Sequence, residues 1–224
     1  VKLQKRSNRS LFTKDYFERP YNSENSFGDT YGEHREFLEF DRQQYIELQN
    51  YSSELGIIFF ATAFDFESAD FLQDLNVPAF KIASGDLKNI PLIKYLASFG
   101  KPLFISTGGG VLEDVDRVVG ELEGSKAPIC IMQCTAGYPP TWNELNLQVI
   151  SSFRDRYLDT VIGFSSHDNG IAMPVAAYAL GARVIEKHFT LNRTLKGTDH
   201  AFSLEPQGLS KMVRDLDRLH LALG

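Results

Sequence analysis

Residues 102–134 read PLFISTGGGVLEDVDRVVGELEGSKAPICIMQC. A proline-led apolar run over 102–106 passes through a glycine turn into a stripe of Val115, Val118, Val119 and Leu122, spaced as one face of a helix. Gly124 stands where that helix would stop in a left-handed cap. A second apolar run follows over 128–133. Both runs are continuously apolar rather than alternating, the character of strands covered on both faces. Strand, helix and strand in direct succession imply a right-handed parallel crossover.

The same grammar extends in both directions. Apolar runs recur as VKLQ at 1–4, GIIFFAT at 56–62, AFKIA at 79–83, VIGFS at 161–165 and VIEKHF at 184–189, which makes seven candidate strands. Leu209, Met212, Val213, Leu216, Leu219 and Leu223 give a closing amphipathic helix, and Gly56, Gly100 and Gly181 fall at helix ends. Such alternation fits an open doubly wound sheet or a (β/α)8 TIM barrel. No glycine-rich nucleotide fingerprint follows the first strand, and polar residues end nearly every strand, so the barrel is favoured. A barrel needs eight strands and about 250 residues. The expectation is therefore an α/β (β/α)8 barrel, one domain over 1–224, whose first βα unit lies outside this sequence. The stretch from Arg6 to Glu39 reads as irregular and as a lid or wall over the catalytic face.

Composition removes several classes. Among 224 residues, 43% are hydrophobic and 23% charged, which is ordinary globular usage and not that of a disordered or collagen-like chain. A formal charge of −6 and a pI near 5.4 argue against a nucleic-acid surface. The basic stretch Lys2 to Lys14 is short and reads as a solvated loop. No apolar run approaches the roughly 20 residues that span a bilayer, so no membrane partner is expected. Cys130 and Cys134, four apart on one strand, would lie roughly 13 Å apart, too far for a disulfide. Reduced thiols and the lack of a leader pattern fit a cytoplasmic protein.

Polar residues at barrel-strand ends cost core stability and invite a functional reading. Thr62 ends one run; Lys81, Ser84 and Asp86 end the next; Ser106, Thr135 with Tyr138, Ser165 with His167, and Glu186 with His188 end the others. His167 and His188 would reach one rim from adjacent strands, where two imidazoles suit a divalent metal, Mn²⁺, Mg²⁺, Zn²⁺ or Co²⁺. Glu186, two residues from His188 and so on its face, could hold a bound water. Each histidine alone reads better as a core residue, and only the pair favours a metal; His34, His200 and His220 are weaker candidates. Lys81 in an apolar run needs an anion. The SGD turn at 84–86 and the STGGG turn at 106–110 offer hydroxyls and backbone N–H groups for a phosphate or carboxylate. Lys2 could join them or merely snorkel. Lys81 could also serve as a Schiff-base nucleophile.

Seven ordered motifs then become specific: YGEHR (31–35), FKIASGDLKNIP (80–91), ISTGG (105–109), QCTAGYP (133–139), GFSSH (163–167), IEKHFT (185–190) and KGTDHAFSLEP (196–206). Together they resemble the sialic acid synthase family over essentially the whole chain. The resemblance implies a transferase that condenses phosphoenolpyruvate with an N-acylmannosamine or its 6-phosphate, in a metal-dependent reaction that uses Mn²⁺, with Mg²⁺ or Co²⁺ as alternatives. It implies phosphoenolpyruvate held by Lys2, Thr62, Lys81, Ser84, Ser106 and Ser165, the metal by His167 and His188, and the sugar by Asp86, Tyr138 and Asp199. Glu186 and Lys81 would be the catalytic residues. Relatives form domain-swapped homodimers and carry a C-terminal antifreeze-like domain that contributes an Arg, which this chain lacks. Ala136 replaces an Asn of several relatives, and Ser166 an Asp of many bacterial ones. A legionaminate- or pseudaminate-type synthase, a Schiff-base aldolase and a non-catalytic barrel module stand as alternatives.

Overall fold

Seven strands follow one another in the sheet in sequence order: β1 (Lys2–Lys5), β2 (Phe60–Ala63), β3 (Phe80–Ile82), β4 (Leu103–Ser106), β5 (Ile129–Cys134), β6 (Val161–Ser166) and β7 (Val184–Lys187). Nine α-helices lie between the strands and a tenth follows β7. Four follow β1, namely α1 (Asn8–Leu11), α2 (Lys14–Phe17), α3 (Tyr31–Leu38) and α4 (Arg42–Glu54). The others are α5 (Phe66–Asp74), α6 (Ile90–Ser98), α7 (Leu112–Glu121), α8 (Gln148–Arg156), α9 (Ala172–Ala179) and α10 (Pro206–Leu223). This computed structural model describes residues 1–224, in two compact units: Val1–Phe104 with Asp116–Pro128, and Ile105–Val115 with Ile129–Gly224. The α/β alternation read from the sequence is present, with seven strands of the eight that a (β/α)8 barrel needs.

In the first unit β1, β2 and β3 pair in parallel, with Gln4 opposite Thr62 and Thr62 opposite Lys81. Ala61, Leu72, Phe80, Ile82, Leu92 and Leu103 are buried in its core. Local chemistry sets the helix ends. Asp41 and Gln44 form a reciprocal capping box that starts α4, and Gly56 (φ 69°) stops it. The Gly56 and Ile57 N–H groups return to the Ser53 and Ser52 carbonyls at 3.0 and 2.8 Å, a Schellman ending. That ending corrects the strand expected over 56–62. Gly56 to Ile58 serve the helix stop and its exit, Ile58 is 67% exposed, and β2 begins only at Phe60.

Two other expectations need correction in this unit. The stretch 6–39 is not irregular throughout, because α1, α2 and α3 lie in it, and Thr30 with Glu33 caps α3 reciprocally. Lys2 to Lys14 is not a solvated loop. Lys2–Lys5 is strand, Lys5 donates to the Phe40 carbonyl at 2.9 Å and pairs with Glu39 at 3.3 Å. The Arg6 guanidinium lies 3.7 Å from the Phe64 ring centroid, and burial, then repulsion from Arg35, pulls its pKa down to about 10.

In the second unit β5, β6 and β7 pair in parallel, with Cys134 opposite Ser165, Ser165 opposite Glu186, and Ser166 opposite Lys187. Ile131, Met132, Ile150, Phe153, Phe164 and Phe202 are buried. Cys130 and Cys134 are both buried and free of a disulfide. Gly163 in β6 has no room for a side chain between β5 and β7. A Cβ there would meet the Val184 carbonyl at 2.9 Å and Met132 Cγ at 3.0 Å. Gly163→Ala is expected to lower stability by about 1–3 kcal/mol, the usual cost of overpacking, read as a lower urea midpoint; an unchanged midpoint would mean that β7 can retreat.

The run expected as strand over 184–189 also ends early, at Lys187. From there the backbone turns to a new partner. The Leu204 N–H donates to the His188 carbonyl at 2.8 Å, the Thr190 N–H donates to the Leu204 carbonyl at 2.9 Å, and Phe189 forms an isolated parallel bridge with Leu204. His188 therefore lies one residue past the strand.

Candidate active site

The first unit gathers cationic and hydroxyl groups on one face. Thr62 and Lys81 are register partners, 1% and 2% exposed, and so share a side of the sheet. Lys2 lies two residues before Gln4, the partner of Thr62, on that same side, and its Nζ reaches Thr62 Oγ1 at 3.5 Å. Lys81 Nζ donates to the Ile82 carbonyl at 2.8 Å. Ser84 and Asp86 sit in the single 3₁₀ turn that follows β3. Asp86 Oδ1 accepts from Asn89 Nδ2 at 3.2 Å, and burial, outweighing that bond, raises its carboxyl above the ordinary range. Asp86 thus holds the turn that starts α6.

The second unit holds the imidazoles. Ser165 Oγ donates to Glu186 Oε1 at 2.8 Å across the β6–β7 register pair. His167 and His188 follow those strands with ring centroids 5.2 Å apart, inclined at 71°. His167 is 5% exposed, and its Nδ1 lies 3.0 Å from the Thr135 carbonyl and 3.9 Å from Cys134 Sγ. A carbonyl beside Nδ1 selects the tautomer that carries its proton there, which makes Nε2 the lone-pair nitrogen. Burial opposes a charge on this ring, but the Cys134, Thr135 and Glu186 contacts outweigh it and raise the pKa.

Around the pair stand an aromatic wall and a carboxylate. The Tyr138 ring is 4.2 Å from His167 and the Phe202 ring 5.0 Å from His188. Asp199 Oδ2 is 3.6 Å from His188 Nδ1. Tyr138 is half-exposed, and burial of the rest, helped by Cys134, Asp199 and Glu186, pushes its phenol up to about 12. The phenol is therefore a neutral hydrogen-bonding group at ordinary pH. Among the described residues, no group of three or more His, Cys, Asp or Glu side chains converges as a metal cluster.

Ser106 is 2% exposed at the end of β4. In the glycine turn beyond it, Thr107 Oγ1 donates to the Met132 carbonyl at 3.1 Å and the Gly110 N–H to the Thr107 carbonyl at 3.1 Å. A cavity of about 620 Å³ opens beside this turn, bordered by Thr107, Gly110, Gln133 and Thr135, and neither His167 nor His188 lines it. The remaining histidines have local work. His34 is buried against the Tyr21 and Phe27 rings, His200 meets Thr190 Oγ1 at 2.7 Å, and His220 meets the Tyr178 hydroxyl at 2.9 Å.

Sequence reasoning overlooked the Cys134 thiol and the Thr135 carbonyl as partners of His167, and Phe202 as a wall. Phe202 could have been found, since it stands inside the KGTDHAFSLEP motif. The Cys134 contact depends on strand register, which no local pattern states.

The first unit thus carries cations and hydroxyls on one face of its parallel strands, and the second carries paired imidazoles and a carboxylate at and just after the ends of its own, a layout of the α/β class. The chain belongs to the NeuB family, whose model matches residues 1–224. It is 44% identical over 224 residues to the N-acetylneuraminate-9-phosphate synthase of Homo sapiens, covering 100% of this chain and 62% of that protein. It is 39% identical over 191 residues to the N,N'-diacetyllegionaminic acid synthase of Campylobacter jejuni, covering 84% of this chain and 57% of that one. Among solved structures, the N-acetylneuraminic acid synthetase of Leptospira borgpetersenii superposes with a TM-score of 0.83 at 34% identity, over 91% of this chain and 72% of that chain. The chain thus spans about three-fifths of the length of the curated relatives named here. No helix is long and apolar enough to cross a membrane.

Proposed function

We propose that the protein to which this chain belongs condenses phosphoenolpyruvate with an open-chain N-acylmannosamine or its 6-phosphate, forming a nine-carbon 2-keto acid and inorganic phosphate. The observation that carries this reading is the neighbouring pair His167 and His188, ring centroids 5.2 Å apart, with Glu186 hydrogen-bonded to Ser165 on the adjoining strands. The likeness to N-acetylneuraminate-9-phosphate synthase over the full chain supports it.

In this reading Lys2, Thr62, Lys81, Ser84, Ser106 and Ser165 hold phosphoenolpyruvate, whose phosphate and carboxylate need cations and hydroxyl donors. Tyr138, Asp86 and Asp199 position the sugar. His167 and His188 would hold a divalent ion, Mn²⁺ first and Mg²⁺ or Co²⁺ as alternatives. The donor set fits, because the Thr135 carbonyl leaves the Nε2 lone pair of His167 for ligation, and the two imidazoles leave coordination positions to water or substrate oxygen. When bound, such an ion supplies Lewis acidity to the sugar aldehyde. Glu186 orients the water that adds to the phosphate-bearing carbon and accepts its proton, and Lys81 balances the anionic substrate. The reading also includes a complete eight-unit barrel, a homodimer and a cytoplasmic setting.

The test is phosphate release from phosphoenolpyruvate by the full-length protein, with free and 6-phosphorylated N-acetylmannosamine in parallel, with Mn²⁺ or with EDTA. Release that requires a sugar and disappears with EDTA is expected. Release that survives EDTA would contradict the ion's role, and borohydride trapping of Lys81 would then point to a Schiff base. No release with either sugar would overturn the reading.

A further inference from the structure

Lys187 stands behind the imidazole pair. It lies between Glu186 and His188 in sequence and pairs with Ser166, one step beyond the Ser165–Glu186 pair. Strand alternation turns it to the opposite face from Glu186. Its side chain is 2% exposed, and that of Asp168 is 1% exposed. Lys187 Nζ donates to Ser166 Oγ at 2.9 Å and to the Asp168 carbonyl, and lies 3.4 Å from Asp168 Oδ1. Ser166 Oγ donates in turn to Asp168 Oδ1. Ser166 and Asp168 are the residues on either side of His167. One ammonium therefore grips the chain before and after the first imidazole, from a residue adjacent to the second.

Stability alone is a poor reason for this arrangement. Desolvating an ammonium and a carboxylate costs several kcal/mol each, and well-packed apolar residues often do as well or better in such a place. Asp168 Oδ2 adds to the cost, since it is buried with no hydrogen-bond partner. A charged pair offers direction that apolar packing lacks. Its three contacts fix the backbone of residues 166–168 against β7 in one orientation.

We propose that Lys187, acting through Ser166 and Asp168, is a positioning residue that holds the His167 imidazole at the separation from His188 that a shared divalent cation requires. This rests on the reading that the two imidazoles hold that cation. Groups outside the ligand set that orient the ligands commonly matter 10- to 100-fold in metal affinity.

The test is a Mn²⁺ titration of the full-length protein, followed by the electron paramagnetic resonance of the free ion, with thermal unfolding of the metal-free protein alongside. Lys187→Met is expected to weaken Mn²⁺ binding about 10- to 100-fold and also to lower the metal-free Tm, because it leaves the Asp168 carboxylate buried without its cation. A role in stability alone would lower Tm and leave affinity in place. Ser166→Ala removes one contact with little threat to folding, so a several-fold loss is expected there, and it carries the test should Lys187→Met fail to fold. Wild-type binding with unchanged affinity in the folded variants would overturn this inference and leave the ion reading intact. A wild-type protein that binds no Mn²⁺ would overturn the ion reading, and this inference with it.

Discussion

His188→Ala in the full-length protein is expected to reduce sugar-dependent phosphate release from phosphoenolpyruvate by about 10³-fold or more, the rate equivalent of several kcal/mol of lost charge stabilisation. The variant should fold. His188 is past the end of β7, its backbone is held by Leu204, and its side chain is 24% exposed, so no core cavity follows from the truncation. The effect should appear in kcat, with Mn²⁺ affinity lowered in parallel. Circular dichroism and Tm separate this from misfolding. Retention of more than a tenth of the wild-type rate, in a folded variant, would remove the imidazole pair from the chemistry.

Lys81→Met should act on substrate binding. Methionine nearly preserves the volume of the aliphatic stem and removes the charge from a site only 2% exposed. Losing one member of a buried charge contact with a substrate anion costs about 2–5 kcal/mol, hence a rise in KM for phosphoenolpyruvate of roughly 30-fold or more. Unchanged kinetics, read by phosphate release at varied phosphoenolpyruvate, would make Lys81 a structural residue, its bond to the Ile82 carbonyl part of that role.

Much of the α/β frame was legible in the sequence, and the misses have local causes. Continuously apolar runs mark β3 to β6 closely, because a strand covered on both faces has little polar content to blur its edges. Gly56, Gly100, Gly124 and Gly181 all take positive φ, as their positions at helix ends implied. The start of β2 was hidden because Ile57 and Ile58 are apolar, although hydrogen bonding assigns Ile57 to the end of α4. The end of β7 was hidden because nothing in VIEKHF marks the point at which the backbone leaves β6 and pairs with Leu204 instead.

The candidate site was legible as residue types and only partly as geometry. Two imidazoles at the ends of neighbouring runs could be paired on paper, and their rings lie 5.2 Å apart, edge to face. The Ser165–Glu186 bond could not be read, because it depends on which residue of β6 stands opposite which residue of β7. Lys187 was passed over for a related reason. Between Glu186 and His188 it looks like the outward member of an alternating strand, and nothing local reveals that Ser166 and Asp168 bury its charge.

The pairing of Leu204 with the backbone on either side of Phe189 makes residues 191–203 an excursion whose two ends are pinned together. Lengthening such a segment carries a small entropic penalty, growing only with the logarithm of its span. Acceptor preference could therefore be recoded within the excursion, by insertion as well as substitution, while the ring of His188 keeps its mooring.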